Sequence, residues 1–258
     1  MKRIHLFEFE DQPWFPTWMR IRITRLIIVM HDLLGTRKTL TNVLADLLQK
    51  HPSKKIVDLC SGSGGPMPEV VDILRNEPSF SDLSLTLTDL FPDDEAARSF
   101  NGKKDHIHYQ TTPVDATDPG ALSGIRTMVS SFHHMKPDQA ISILRSAAEH
   151  REAICIYEIS DNTPPVFLWW IALIPNFIMS FFVTLKVRPV SWQQIVFTYL
   201  IPIIPLVFAW DGAVSNVRTY TLNDLDELLR QVPSENYVWE KGTTDGRMKQ
   251  LYMTGYPV

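Results

Sequence analysis

Cysteine is scarce: Cys60 and Cys155 are the only two in 258 residues. Both sit in apolar runs that read as buried strands or strand ends, so they are expected as reduced core thiols and not as a disulfide framework. Neither has a second Cys or a His at ligand spacing, and no metal site is expected. Charge of one sign is scarce too. The formal net charge is -4, with acids and bases intermixed. Without a basic field to hold a polyanion, nucleic acid is excluded as an expected partner. The N-terminal stretch lacks the apolar core of a secretory signal, because Met1 to Pro13 carries Lys2, Arg3, Glu8, Glu10 and Asp11. A cytoplasmic location is therefore expected. Repeats and low-complexity linkers are lacking as well, so one domain over residues 1–258 is expected.

What is present suits a large buried core: 45% of residues are hydrophobic and 21% charged. Residues 13–50 read as two helices. Trp18, Ile21, Leu26 and Met30 share an apolar face of the first, Gly35 breaks it, and Leu40, Leu44, Leu47 and Leu48 space out the second. His51-Pro52 ends that helix. Strands then alternate with helices. Strands are expected at Lys55–Cys60, Leu83–Thr88, Ile107–Gln110, Ile125–Ser130 and Ala153–Ile159. Helices are expected at Met67–Arg75, around Ala96 and Ala97, and at Pro137–Glu149. Such alternation predicts a parallel sheet covered on both faces. After an apolar stretch, Thr221 and Asp224 approximate a capping box for a last helix. Two terminal strands, near Tyr237–Glu240 and Gln250–Thr254, form an antiparallel hairpin with Gly242 to Gly246 in the turn region. The fold expected is α/β and Rossmann-like. It has a seven-stranded, mostly parallel sheet, a C-terminal antiparallel hairpin, N-terminal helices and an apolar helical insertion after the fifth strand.

The run Ile56-Val57-Asp58-Leu59-Cys60-Ser61-Gly62-Ser63-Gly64-Gly65 carries the main functional signal. A strand delivers Asp58 to the rim where open α/β sheets bind ligands. Glycines there let the backbone turn sharply and approach a ligand, and the next helix offers N–H groups to it. The run resembles motif I of class I S-adenosylmethionine-dependent methyltransferases, with Cys60 in place of the first glycine. Asp89 at the end of the second strand, followed by Leu90, resembles that family's acid for the ribose hydroxyls; a carboxylate suits a cis-diol because it accepts two hydrogen bonds. Asp115-Ala116 resembles the adenine contact, and Ser131 follows the fourth strand where the family places residues between cofactor and acceptor. The resemblance covers about residues 50–160 and the terminal hairpin. It implies S-adenosylmethionine as cofactor, S-adenosylhomocysteine as product, and Asp58, Cys60, Ser61, Gly62, Gly64, Asp89, Leu90, Asp115, Ala116 and Ser131 as cofactor-binding residues. A dehydrogenase shares part of the glycine signature and stays as a competing reading.

On the acceptor side, methyl transfer needs alignment and, where the nucleophile carries a proton, a base. His133, His134 and Glu158, past the fourth strand and at the end of the fifth, are the catalytic candidates. Phe7 to Pro16 mixes aromatics with acids. The resemblance implies that residues 1–50 form a lid, with strapping on the outside as the alternative. With Trp210-Asp211-Gly212, this run resembles a group of bacterial small-molecule methyltransferases. It makes Trp14, Phe15, Trp210, Arg218 and Tyr220 the substrate-binding candidates and leaves the acceptor open. The expected partition is 1–50 lid, 51–160 cofactor core, 161–215 cap insertion and 216–258 last helix and hairpin.

Val166 to Leu185 carries no charge, and Ile195 to Trp210 is a second apolar run after Lys186-Val187-Arg188-Pro189. The first, as a helix, would be about 30 Å long, close to a bilayer core. Three readings follow for 166–210: a cap over an apolar pocket, a monotopic patch on the inner face of a membrane, or a spanning hairpin. The function expected is methyl transfer to a small, largely apolar or lipid-like acceptor. The alternative is a non-catalytic, membrane-associated binding protein on the same fold.

Overall fold

The computed structural model describes residues 1–232, 235–245 and 248–258. Seven strands form one sheet in the order β3-β2-β1-β4-β5-β7-β6. They are β1 (Lys55–Asp58), β2 (Ser84–Leu87), β3 (Ile107–Tyr109), β4 (Ile125–Val129), β5 (Ile154–Glu158), β6 (Tyr237–Thr243) and β7 (Leu251–Pro257). The first five are parallel, and β7 runs antiparallel between β5 and β6. The central strands β4 and β5 are buried almost throughout. That matches their place in the middle of a parallel sheet with helices on both faces, although β4 carries the buried Arg126 and Thr127.

Helices α1 (Thr17–Leu33) and α2 (Thr36–Lys50) precede the sheet. Then come α3 (Met67–Leu74), α4 (Asp94–Phe100), α5 (Pro137–Glu149), α6 (Leu173–Thr184), α7 (Trp192–Ile195), α8 (Ile203–Arg218) and α9 (Leu222–Leu229). Local chemistry sets their starts. The Asp93 carboxylate accepts the N–H groups of Glu95 and Ala96 at the head of α4, and Thr221 with Asp224 closes a reciprocal capping box on α9. Leu40, Leu44, Val70, Val71 and Tyr109 pack on one face of the sheet. Met128, Ile143, Leu144, Ile156, Leu225 and Met253 pack on the other.

A third cluster joins the N-terminus to the insertion: Phe15, Ile23 and Leu26 meet Val183, Val187, Ile204 and Phe208. Here the apolar run is a 3₁₀ segment (Val166–Ala172) leading into α6. Pro175 falls in the first turn of α6, where its missing N–H breaks no bond. The hairpin differs from expectation. Strand β6 continues to Thr243, because its pairing with β7 runs on to Thr243↔Leu251. Gly242 therefore lies in the strand beside Tyr252 and not in the turn; Gly246 lies outside the described residues. The parallel register sets Asp58 alongside Leu87 and Thr127. The ends of β1, β2, β4 and β5 thus share one rim.

Candidate active site

A cavity of about 550 Å³ opens at this rim, within the size range of small-molecule sites. One wall is the loop after β1, with Cys60, Ser61, Gly62, Ser63 and Gly65. The loop turns left-handed at Cys60 (φ 58°), Gly62 (φ 53°) and Gly64 (φ 105°). A Cβ at Gly62 would stand 2.7 Å from Thr24, and one at Gly64 2.8 Å from the Phe100 ring. Both glycines therefore permit a close approach as well as a turn. Cys60 adopts the glycine-like conformation with a side chain, at a strain of about 1–2 kcal/mol. Burial and the surrounding carboxylates push its thiol pKa up, so it is a neutral wall group and not a nucleophile. Cys60→Gly should relieve that strain and, after the greater chain entropy of glycine is subtracted, stabilise the protein by up to about 1 kcal/mol. Urea denaturation measures this, and a loss of stability would show that the thiol's packing outweighs the strain.

Asp58 does not line the cavity. Its carboxylate accepts hydrogen bonds from Thr127 Oγ1 (2.5 Å) and Ser61 Oγ (2.7 Å), and burial raises its pKa to about 7. It shapes the loop from beneath. Asp89 stands on the cavity wall. Its Oδ2 accepts the Gly62 N–H at 2.7 Å and its Oδ1 the Phe91 N–H at 2.8 Å. Burial raises its pKa, against those two hydrogen bonds. Leu90 is on the same wall and half exposed. Ser130 and Ser131 follow β4 on the wall, and their buried hydroxyls have no hydrogen-bond partner among the described residues. Asp115 and Ala116 lie outside this wall. The Asp115 carboxylate is folded onto Thr117 N and Oγ1 in an Asx turn.

The opposite wall is α1 and the segment before it. Thr17, Arg20, Ile21, Thr24, Ile28 and His31 face the cavity. Arg20 donates to the Glu10 and Gln12 carbonyls and lies 4.2 Å over the Phe91 ring. Glu10 reaches the wall beside Thr24, whose hydroxyl donates to it at 3.3 Å. Burial pushes the Glu10 carboxyl above the usual carboxylate range. His31 pairs with Thr36 Oγ1, and burial lowers its pKa to about 4. Glu10, Arg20, Thr24 and His31 are wall residues that were not expected from the sequence. The available signal was a stripe of polar residues at helical spacing, Thr17, Arg20, Thr24 and His31, on an otherwise apolar helix.

The expected catalytic residues separate. His133 turns away from the cavity: its backbone N–H and Nδ1 both meet Glu158, at 3.0 and 2.8 Å. His134 does line the cavity, with its Nδ1 2.6 Å from Asp11 and 3.0 Å from Glu8. Burial opposes its charge, yet Glu8 and Asp11 outweigh that and hold it protonated well above the ordinary range. A held imidazolium donates hydrogen bonds and is no base. Glu8, His133 and His134 bring ligand-type atoms within 4.8 Å of one another. Arg218 Nη1 stands 3.1 Å from the Glu8 carboxylate and 2.6 Å from Asp11, so the cluster is an ion-pair network. The expected substrate residues are not on the cavity wall. Phe15 is in the third core cluster, and Trp14 points to solvent. The Trp210 indole donates to the Phe7 carbonyl, and the Tyr220 hydroxyl to the Met135 carbonyl. With Arg218, both of these last two fasten the N-terminal segment or the His133–Met135 turn.

No protein-family model matches this chain, and no curated protein does. Solved structures do match. One is the plantazolicin methyltransferase BpumL in complex with a monoazolic desmethylPZN analogue and SAH; it is 10% identical, with 93% of this chain and 98% of that one covered at a TM-score of 0.54. Another structure of that enzyme, in complex with SAH, is 12% identical, with 92% and 85% covered at a TM-score of 0.50. The chain has the fold of the class I S-adenosylmethionine-dependent methyltransferases. The strand order, the antiparallel β7 and the glycine loop after β1 all occupy their places in that fold.

Proposed function

We propose that this methyltransferase-fold protein transfers the methyl group of S-adenosylmethionine to a small, largely apolar acceptor. The carrying observation is the cavity between the glycine loop with Asp89 and the mixed apolar-polar face of α1. The chain's own groups fit the cofactor. The loop is a cradle that a Cβ at Gly62 would disturb, Asp89 offers a part-buried carboxylate for a diol, and the buried Ser130 and Ser131 hydroxyls are without a hydrogen-bond partner among the described residues. When bound, the cofactor would supply a methyl group activated on a sulfonium, for transfer to the acceptor nucleophile with S-adenosylhomocysteine as the leaving group. Ile21, Ile27 and Ile28 give the apolar part of the opposite wall and favour an acceptor with apolar surface.

Glu10 is the group placed to take a proton from that acceptor. It is on the wall, held by Thr24, with its backbone N–H fixed by Asp211 at 3.2 Å. Its raised pKa brings it toward the neutral range where a general base works best. A base acts when ionised, so turnover should rise with pH through a limb displaced above ordinary glutamate. Glu10→Gln should cut kcat about a hundredfold and erase that limb, with S-adenosylhomocysteine affinity unchanged. Activity is measured as labelled methyl transferred from S-adenosylmethionine to a panel of phenols, acids and extracted lipids. Binding of NAD and not of S-adenosylhomocysteine in calorimetry would replace this reading by the dehydrogenase one.

A further inference from the structure

The insertion presents a surface that the methyl-transfer reading does not use. From Val166 to Thr184 the chain forms one continuous helical stretch of 19 residues. Phe167, Ile171, Ile174, Ile178, Phe182 and Leu185 are all exposed. The four-residue spacing puts Ile174, Ile178 and Phe182 on one outward stripe of α6, and the exposed Phe167, Trp170 and Ile171 carry the apolar surface on along the 3₁₀ segment. Trp192, Ile195 and Leu200 extend the exposed apolar surface across the following turn. A continuous apolar face of this extent marks an interaction site.

The back of this layer is committed to the body. Ser180, Val183 and Thr184 are buried, and Val183 packs with α1 and α8. Trp169 meets Trp210 edge-on at 5.6 Å, and the Tyr199 hydroxyl donates to the Phe181 carbonyl at 2.6 Å. The chain turns by 83° between the helical stretches Trp192–Leu200 and Ile203–Arg218. A helix that crosses a bilayer needs lipid or other spanning helices around it. Here α6 lies along the protein with only its outer side free, which is the geometry of a helix lying in a membrane surface.

Chemistry separates a bilayer from a protein partner. Between Asn162 and Trp210 the only charged residues are Lys186 and Arg188. Both are exposed at the turn after α6, and neither pairs with an acid among the described residues. Protein interfaces carry about one hydrogen bond per 100–200 Å², whereas the outward stripe offers aliphatic and aromatic groups only. Exposed Trp170 and Trp192 suit the headgroup boundary.

We propose that residues 166–206 dock the protein on an anionic bilayer as a monotopic patch, with the α6 stripe in the acyl boundary and Lys186 and Arg188 on the headgroups. The helix that walls the cavity, α1, packs directly behind this layer.

The test is sedimentation of the full chain with vesicles of phosphatidylcholine, alone or with 30% phosphatidylglycerol as an approximately physiological anionic fraction. Binding to the anionic vesicles is expected. Phe167→Asp and Phe182→Asp should each weaken partition about tenfold, and the pair K186E/R188E should weaken it about tenfold on anionic vesicles only. All four positions are exposed, and an unchanged melting curve and S-adenosylhomocysteine affinity show that the variants fold. Those readouts stand apart from vesicle binding, so failure of docking and failure of the methyl-transfer reading are distinguishable. The proposal is overturned if the folded protein stays in the supernatant at every composition, or if the stripe proves to bury a second copy, seen as a dimer that Phe182→Asp dissociates.

Discussion

Asp89→Ala is expected to weaken S-adenosylhomocysteine binding about a thousandfold, with the protein still folded. Two effects add. A ribose diol donating to this part-buried carboxylate makes two charge-assisted hydrogen bonds, each contributing about 1.5–3 kcal/mol. Their loss alone amounts to two to four powers of ten, at about 1.4 kcal/mol each. The same carboxylate also holds the Gly62 N–H at 2.7 Å, so alanine frees the middle of the glycine loop. Asp89→Asn keeps one carbonyl oxygen and loses the charge, and a smaller deficit, about thirtyfold, is expected. Calorimetry with S-adenosylhomocysteine measures both. Affinity within fivefold of wild type in a folded Asp89→Ala protein would remove the cofactor from the end of β2, and with it the proposed reaction.

The half of the site that this experiment probes was legible in the sequence for a local reason. The glycine loop and Asp89 sit where two parallel neighbours end, and strand-loop-helix rhythm alone locates such ends. The other half was not legible. Glu10, Arg20, Thr24 and His31 reach the cavity only because α1 folds back over the rim, a tertiary event with no local mark. On a helix, a polar stripe reads equally as a solvent face. His133 and His134 show the converse. Their position after β4 was read correctly, yet the neighbours that decide their chemistry come from distant parts of the chain: Glu158 for one, Glu8 and Asp11 for the other. The same holds for Asp115, whose acid is consumed by its own turn.

The cavity is thus bounded by a rigid rim and by a segment that must be fastened to it. Phe9 packs on the third core cluster and Phe7 against Trp210, and polar groups complete the fastening. Asp211 accepts the N–H groups of Phe9 and Glu10, at 2.9 and 3.2 Å. Ser215 donates to Glu8 at 3.0 Å. Burial and the neighbouring Glu10 charge raise the Asp211 pKa, so this end of the clamp favours a protonated acid. The wall that supplies the proposed base is therefore itself held by groups that respond to protonation and charge.

Arg218 is the centre of that clamp, and Arg218→Ala should cost about 3–5 kcal/mol of stability. Its side chain is 0% exposed and bridges Glu8, Asp11 and the His133 and His134 carbonyls. Removing it leaves Glu8, 1% exposed, as a buried carboxylate whose one remaining ion-pair partner among the described residues is His134, the situation in which breaking a buried pair is most destabilising. For a chain of this size the loss is a fall in Tm of about 10 °C. The sign with pH follows from the two carboxylates. Although burial opposes it, His134 and Arg218 hold Glu8 and Asp11 below their ordinary pKa values. Their contribution is therefore present above the unfolded-state carboxylate range and lost as the pH falls through the lower folded values. The gap in Tm between wild type and Arg218→Ala should be full at pH 6 to 7 and narrow below about pH 4. Adding Glu8→Gln to Arg218→Ala removes the stranded charge and should recover about half of the loss, a coupling read directly from the double-mutant cycle. A Tm gap under 2 °C, or one that widens in acid, would mean that water already screens this cluster and that the N-terminal wall is held by something else.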